Sequence, residues 1–378
     1  MTTKFDALQF VRDYALGISE AWATPDGSVA FSRLPLATDE LHLNHLFMNE
    51  VSRAGSGVRL AFKTDASVLN LGIIGSQLVL PWAGPAALNV DLEINGRLVQ
   101  TEPITQFETR SPFGVDAETA GKPQLLQLDL GHAGTWKSVA VWLPHNAHSR
   151  IVSVQLDGSV APAEKTGPKW LHYGSSISQA SEVDSPSAVW PAVVAKQLGL
   201  ELRSLGLAGS ALLDPFIGPV IVAENPDLVS LKLGINSVNA ASHTVRTFPA
   251  AVNGLIDSIR AGLPSVPILL ISPIFCPPHE EGVGPTIFDP ATGKAAASPR
   301  PEEFIPSALN LQTIRQQLSA IFANRSKTDS NLYLMDGLDL FGADDANLLP
   351  DDLHPNHEGY QLMAARFAAS PAVHNWLG

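Results

Sequence analysis

The hydrophobic period of this chain changes once along its length, and that change narrows the choice of fold more than any other feature. From about Asp39 to Gly158 apolar and polar residues alternate in short runs, among them Val58-Arg-Leu-Ala-Phe-Lys63, Leu88-Asn-Val-Asp-Leu-Glu-Ile94 and Ser138-Val-Ala-Val-Trp-Leu143. A period of two sends successive side chains to opposite faces, which suits half-buried antiparallel strands. Asn95-Gly96, His132-Ala-Gly134 and Asp157-Gly158 supply turns at the short intervals that hairpins need. The expectation is an all-β, jelly-roll-like sandwich over residues 1–165, with the residues before Asp39 as an N-terminal extension.

The period lapses at Ala161-Pro-Ala-Glu-Lys-Thr-Gly-Pro168, where proline, glycine and charge take over, as in an exposed linker. Beyond it come compact apolar runs: Trp170-Leu-His-Tyr173, Leu202-Arg-Ser-Leu205, Leu228-Val-Ser-Leu-Lys-Leu233, Ile268-Leu-Leu-Ile271 and Leu332-Tyr-Leu-Met335. Such runs suit strands covered on both faces. Between them, Ser187–Leu198, Phe248–Ala261 and Ser307–Ala323 carry apolar residues at helical spacing. Residues 166–378 therefore read as an α/β three-layer domain with a five-stranded parallel sheet. With 378 residues, 45% hydrophobic and 16% charged, the chain can fill two cores of this kind.

Parallel sheets gather functional groups at the carboxyl ends of their strands. The first strand runs into Gly174-Ser175-Ser176-Ile177-Ser178, which puts a hydroxyl at a helix start and makes Ser176 the candidate nucleophile. The second ends in Leu205-Gly-Leu-Ala-Gly209-Ser210, where Gly209 can offer an unobstructed backbone N–H. The third ends in Leu233-Gly-Ile-Asn236, and an Asn amide there can donate to an oxyanion. After the fifth, Pro350-Asp351-Asp-Leu-His354-Pro-Asn356 sets a carboxylate three residues before a histidine, able to hold its imidazole. Each block alone is ordinary loop material; four in order at the strand ends of one sheet are specific.

These blocks resemble those of the GDSL or SGNH hydrolases, from Lys169 to the C-terminus. The resemblance implies Ser176 as nucleophile, His354 as base and Asp351 as its orienter. It also implies an oxyanion hole formed by the Ser176 amide, Gly209 and Asn236. Ser175 stands where the family's first block usually has Asp, and Ser175 and Ser178 are the competing hydroxyls. The two-domain layout is similar to a GDSL-type acyltransferase of aromatic polyketide or tetracycline tailoring. That implies acyl transfer beside ester hydrolysis, and the sandwich's likeness to sugar-binding modules adds carbohydrate deacetylation. A rival of another class is a catalytically silent binding protein.

No Gly-x-Ser-x-Gly elbow occurs, which disfavours an α/β-hydrolase. His42 with His45, and His354 with His357, have ligand-like spacings, but no third ligand of obvious geometry lies nearby and Pro355 interrupts the second pair, so neither metal nor cofactor is expected. The segment from Pro273 to Pro306 is long enough to serve as a cover over a site. Trp82, Trp136 and Trp142 could form a sugar platform, with core packing the preferred reading. A net charge of -13 argues against nucleic acid and anionic membranes as partners. The expected partners are a small-molecule acyl donor and a hydroxyl acceptor or water. The lone Cys276, the absence of a signal-like start and the absence of any apolar run of membrane-spanning length suggest a cytoplasmic protein.

Overall fold

A computed structural model describes residues 2–79, 84–111, 117–119 and 121–378. The chain divides into two compact units, Met1–Thr166 with Val183–Ala192, and Gly167–Glu182 with Val193–Gly378.

The first unit is a β-sandwich. Among the described residues one sheet has eight strands, with Val68–Leu78 and His148–Leu156 at its centre, and the other has six, with Arg59–Thr64, Lys137–Trp142 and Leu88–Ile94 adjacent. Pairing is antiparallel apart from Val68–Leu78 with Glu108–Arg110. Strand alternation points Leu60, Phe62, Val139 and Val141 of one sheet and Leu69, Leu71, Ile73 and Val154 of the other into a single buried cluster. Asn95 and Gly96, at φ 51° and 75°, close the hairpin between Leu88–Ile94 and Arg97–Ile104, the left-handed pair that a two-residue turn needs.

The residues before Asp39 are woven into this sandwich. Thr3–Phe5, Ala15–Leu16, Glu20–Ala23 and Val29–Ser32 all pair into the sheets. The intervening helix, Ala7–Tyr14, is capped by Asp6 and lays Phe10 against Phe62 at 5.4 Å. Strands of two to four residues are too short to show a period, which is why this part of the sequence is silent. The expected linker also begins later, because Val160–Pro162 pairs with Arg59–Thr64. Trp142 is buried beneath the Arg59 guanidinium at 5.0 Å, as core packing requires, whereas Trp136 is exposed. Trp82 lies outside the described residues.

The second unit holds the parallel sheet. Its strands are β1 (Lys169–Gly174), β2 (Glu201–Gly206), β3 (Leu228–Lys232), β4 (Ile268–Ile271) and β5 (Leu332–Met335), in the order β2-β1-β3-β4-β5. All four pairings are parallel. Trp170 and Tyr173 of β1 point to opposite faces. Trp170 packs on Phe367 and Trp376 of the last two helices, while the Tyr173 hydroxyl accepts the Leu213 N–H just before helix Ile217–Glu224, so both faces are covered. The chain leaves β1 toward β2 and returns to β3 on the other side. This makes the β1/β3 boundary the switch point where ligands bind in open α/β sheets.

The expected helices appear with adjusted starts, at Trp190–Leu198, Thr247–Gly262 and Leu311–Arg325. The last begins at Leu311 because the Asn310 side chain caps it by accepting from the Thr313 N–H, and Glu302–Ser307 forms a separate turn of tighter helix. The segment Pro273 to Pro306 is ordered, containing a hairpin of Thr286–Phe288 with Ala295–Ala297.

Candidate active site

Two of the four strand-end blocks, the first and the last, supply side chains in contact with one another. Ser176 opens a helix of four residues, Ser176–Gln179, directly after β1. His354 Nε2 lies 2.9 Å from its Oγ, and His354 Nδ1 lies 2.7 Å from Asp351 Oδ2. The other Asp351 oxygen accepts the backbone N–H groups of Leu353 and His354 at 2.9 and 2.6 Å. The carboxylate is thus fixed by its own turn while it holds the imidazole. Burial opposes ionisation of Asp351, yet the hydrogen bond and charge of His354 and the two backbone donors win, keeping it below the usual carboxylate range. For His354, burial alone would lower the basicity. The charges of Glu182 and Asp351 and the Asp351 hydrogen bond overcome it and push the imidazole up to about 9.

The two competing serines are occupied elsewhere. Ser175 Oγ caps the short helix by accepting from the Ile177 N–H. Ser178 Oγ lies 2.8 Å from Nε2 of His172, a fully buried residue of β1. His172 Nδ1 lies 2.7 Å from Ser230 Oγ, which accepts from Trp170 Nε1 at 2.8 Å. Burial, with the nearby Lys232 charge, drives His172 down to about 3, so this second imidazole is neutral. It acts as a fixed polar floor beneath the Ser176 turn. His172 was legible only as a strand residue, since nothing in Trp170-Leu-His-Tyr173 separates a buried polar anchor from core.

Donors at the strand ends are left without an acceptor among the described residues. Asn236 is 1% exposed; its Oδ1 accepts from the Ala211 N–H at 3.0 Å, which fixes the amide's orientation. Its Nδ2 has no partner among the described residues. A buried amide donor left unpaired is costly in a resting fold and marks a place where an acceptor is meant to arrive. Gly209, at φ 64°, is exposed, while its neighbours Ala208 and Ser210 spend their N–H groups on Gln179 and Leu207. The Ser176 N–H heads its helix, where no intrahelical acceptor exists. A helix of four residues has little macrodipole, so individual donors, rather than a helix field, must carry any stabilisation of negative charge.

The segment Pro273–Pro306 touches this site through the acid-bearing turn. The Ala295 N–H donates to the Asp351 carbonyl at 2.8 Å, Lys294 Nζ pairs with Asp352 at 3.0 Å, and Cys276 Sγ lies 3.4 Å from the Asp352 carbonyl. Asp352 sits at φ 62°, a left-handed conformation that a non-glycine residue keeps only when its surroundings hold it. Burial, reinforced by Glu280, raises the Cys276 thiol to about 12, which leaves it inert. The sequence offered this segment as a cover; its observed contacts include the turn carrying Asp351, and also Asn239 and Arg315. Among the described residues no cluster of His, Cys, Asp or Glu is arranged to hold a metal ion.

Comparison with known proteins adds the family. Residues 172–362 match the model of the GDSL-like lipase/acylhydrolase family. The fold is similar to that of the salicylyl-acyltransferase SsfX3 from a tetracycline biosynthetic pathway, with a TM-score of 0.76 and 24% identity over 93% of this chain and 92% of that one. It is also similar to a Bacteroides ovatus protein described as a GDSL-like lipase, with a TM-score of 0.67 and 16% identity over 100% of this chain and 98% of that one. A family two carbohydrate esterase from Clostridium thermocellum gives a TM-score of 0.59 and 14% identity over 94% of this chain and 97% of that one. Comparison with curated proteins by sequence yields no match. The family match spans about half of the chain and takes in all four strand-end blocks: the chain belongs to the GDSL-like lipase/acylhydrolase family of enzymes.

Proposed function

We propose that the protein is a serine-dependent acyl-ester enzyme working through an acyl-Ser176 intermediate. One observation carries this reading: His354 bridges Ser176 and Asp351 at 2.9 and 2.7 Å while Asn236 keeps a buried, oriented and unspent amide donor. In the proposed cycle His354 Nε2 takes the Ser176 proton as Oγ attacks an ester or thioester carbonyl. The carbonyl oxygen becomes an oxyanion, received by Asn236 Nδ2 and the N–H groups of Gly209 and Ser176. The imidazolium then returns its proton to the leaving alcohol or thiol as that bond breaks. In the second half His354 deprotonates water or an acceptor hydroxyl, which attacks the acyl-enzyme and frees Ser176.

Acyl transfer to a hydroxyl of a small molecule is the reading we favour over simple hydrolysis. It is supported by likeness over nearly the whole chain to a salicylyl-acyltransferase, and the fold's likeness to carbohydrate esterases makes sugar deacetylation the alternative. The charge of -13 supports a small-molecule substrate rather than a polyanion, and the lone cysteine supports a reducing, cytoplasmic setting.

The test is fluorophosphonate labelling of wild type and Ser176→Ala, with mapping of the modified peptide. It is paired with turnover of aryl esters, acyl thioesters and acetylated sugars, with and without alcohol acceptors. Label on Ser176, loss of turnover in Ser176→Ala and an acceptor-dependent product are expected. Release of acetate from sugars alone would support the alternative. An unlabelled, inactive wild type would return the protein to the binding class.

A further inference from the structure

Every backbone N–H between Leu207 and Leu213 has an acceptor among the described residues except that of Gly209. On one side of it the Ala208 N–H donates to Gln179 Oε1 at 3.2 Å. On the other, Ser210 donates to the Leu207 carbonyl and Ala211 to Asn236 Oδ1, both at 3.0 Å. The Ser210 bond closes a four-residue turn with Gly209 in its third place, at φ 64°, while Ala208 lies outside the left-handed region. That is the type II pattern, which requires a positive φ at the third residue. A type I turn keeps the same closing bond and differs by rotation of the central peptide, here the one that carries the Gly209 N–H. The left-handed Gly209 therefore sets the direction in which this donor points.

Gln179 lies one residue beyond the block Gly174–Ser178, as the last residue of the Ser176 helix, and is 4% exposed. Its Nε2 donates to Ser181 Oγ at 3.3 Å, and only an oxygen can receive the Ala208 N–H, so the orientation of the amide is determined. We propose that Gln179 is a positioning residue of the oxyanion site, tying the turn that presents the Gly209 N–H to the helix that presents Ser176. Its meaning for catalysis rests on the proposed serine chemistry, whereas the tie itself does not.

The nucleophile follows β1 and this donor follows β2, so two separate strand ends have to meet one carbonyl group. Ser176 Oγ attacks its carbon while the Gly209 N–H receives its oxygen, and neither can shift alone without losing the geometry. Glycine is at ease in many conformations, so Gly209 directs its N–H but cannot fix where the turn sits. A side chain rooted on the Ser176 helix does fix it, because Ala208 then follows any movement of that helix. Asn236 holds the far side of the turn through Ala211. Gln179 thus acts through the Ala208 N–H and not through the reacting atoms.

The experiment reads hydrogen exchange at single residues in the full chain, before and after fluorophosphonate labelling, whose phosphoryl oxygen takes the place of the oxyanion. In wild type the Ala208 amide should be protected throughout, and the Gly209 amide should exchange freely before labelling and slowly after it. This arm needs no variant, and a Gly209 amide already protected in the unlabelled protein overturns the proposal. In Gln179→Met, Ala208 should exchange about tenfold faster or more, and labelling should no longer protect Gly209. Turnover of an aryl ester by Gln179→Met should fall about ten- to a hundredfold in kcat with KM little changed, as misplacement of a donor requires. Gly209→Ala should cost about 10²–10³ in kcat, and the double variant little more than Gly209→Ala alone, because both changes remove one donor. Losses that multiply in the double variant, or a Gln179→Met protein that keeps wild-type kcat and Gly209 protection, sink this inference and leave the acyl-Ser176 reading intact. An unlabelled, inactive wild type sinks that reading instead, and the exchange of Ala208 in Gln179→Met still decides whether the tie exists.

Discussion

His354 must be neutral to accept the Ser176 proton, yet its surroundings favour the imidazolium. With the imidazole raised to about 9, kcat/KM is expected to climb as pH rises from 7 and to reach half its plateau near pH 9, the neutral fraction being the active one. A pH–rate profile checks this; a limb at the ordinary histidine value would mean that the carboxylates do not act on the imidazole as described. Asn236→Ala removes a donor that no other described residue uses, so a fall in kcat of roughly 10²–10³ with little change in KM is expected. At this scale the sequence was most legible where a residue's role follows from its block. Ser176, Gly209, Asn236, Asp351 and His354 were all nameable from strand-end position. Ser175 and Ser178 could be set aside only by analogy, because their engagement with the Ile177 N–H and with His172 depends on atoms brought together in space. The hydrogen bond that the Tyr360 hydroxyl donates to Glu182 joins residues 178 apart and leaves no local trace.

The element that presents Ser176 fits only because two strands end in glycine. A Cβ on Gly206, the last residue of β2, would stand 2.5 Å from the Gln179 backbone nitrogen, and one on Gly174, the last of β1, 2.1 Å from Ser178 Oγ. The short helix therefore lies directly on the ends of both strands. Gly206→Ala meets backbone that cannot rotate away, so it is expected to displace the Ser176 turn. Turnover should drop sharply and thermal stability should fall by a measure typical of overpacking, about 1–3 kcal/mol. Gly254 offers the contrast, since it sits inside the helix Thr247–Gly262 with nothing within 4 Å of a built Cβ. Gly254→Ala should add about 0.5–1 kcal/mol of stability by restricting the unfolded chain, and calorimetry of the pair tests both signs. The strands that the sequence revealed are those long enough to show a period or buried enough to form an apolar run. The four strands of two to four residues before Asp39 were hidden, as was the hairpin inside Pro273–Pro306. Their stability comes from pairing partners elsewhere in the chain, His148–Leu156 for Thr3–Phe5 and Val29–Ser32 and Arg59–Thr64 for Ala15–Leu16, or from a turn they brace, and neither shows as a period in so short a run.

For the molecule as a whole, the change of period marked two architectures, and each unit carries its own response to pH. In the first, Glu50 accepts both Arg110 Nη groups at 2.6 and 2.7 Å and lies 3.1 Å from His148 Nε2. Burial opposes its charge, but those partners bring it from 4.5 down to about 2. A depressed carboxylate contributes stability above its unfolded value, and that contribution is lost as pH falls through about 2. In the second unit the sign reverses. His354 is raised from 6.5 to about 9, so its contribution is complete below 6.5 and disappears as pH rises through about 9. Stability should thus be greatest in the window between about 5 and 6.5 that both groups share, and the enzyme should gain activity over the range in which its second unit loses this support. Calorimetric scans across pH 2–10 test the assignment through two variants, the pH limits here being roughly those over which the linkage acts. Glu50→Gln should flatten the acid side of the curve and leave the alkaline side unchanged. His354→Gln should flatten the alkaline side and change the acid side only by the part of the Asp351 depression that His354 supplies. If His354→Gln destabilised the protein equally at every pH, the histidine would be held by packing alone, and the two carboxylates would have no part in its protonation.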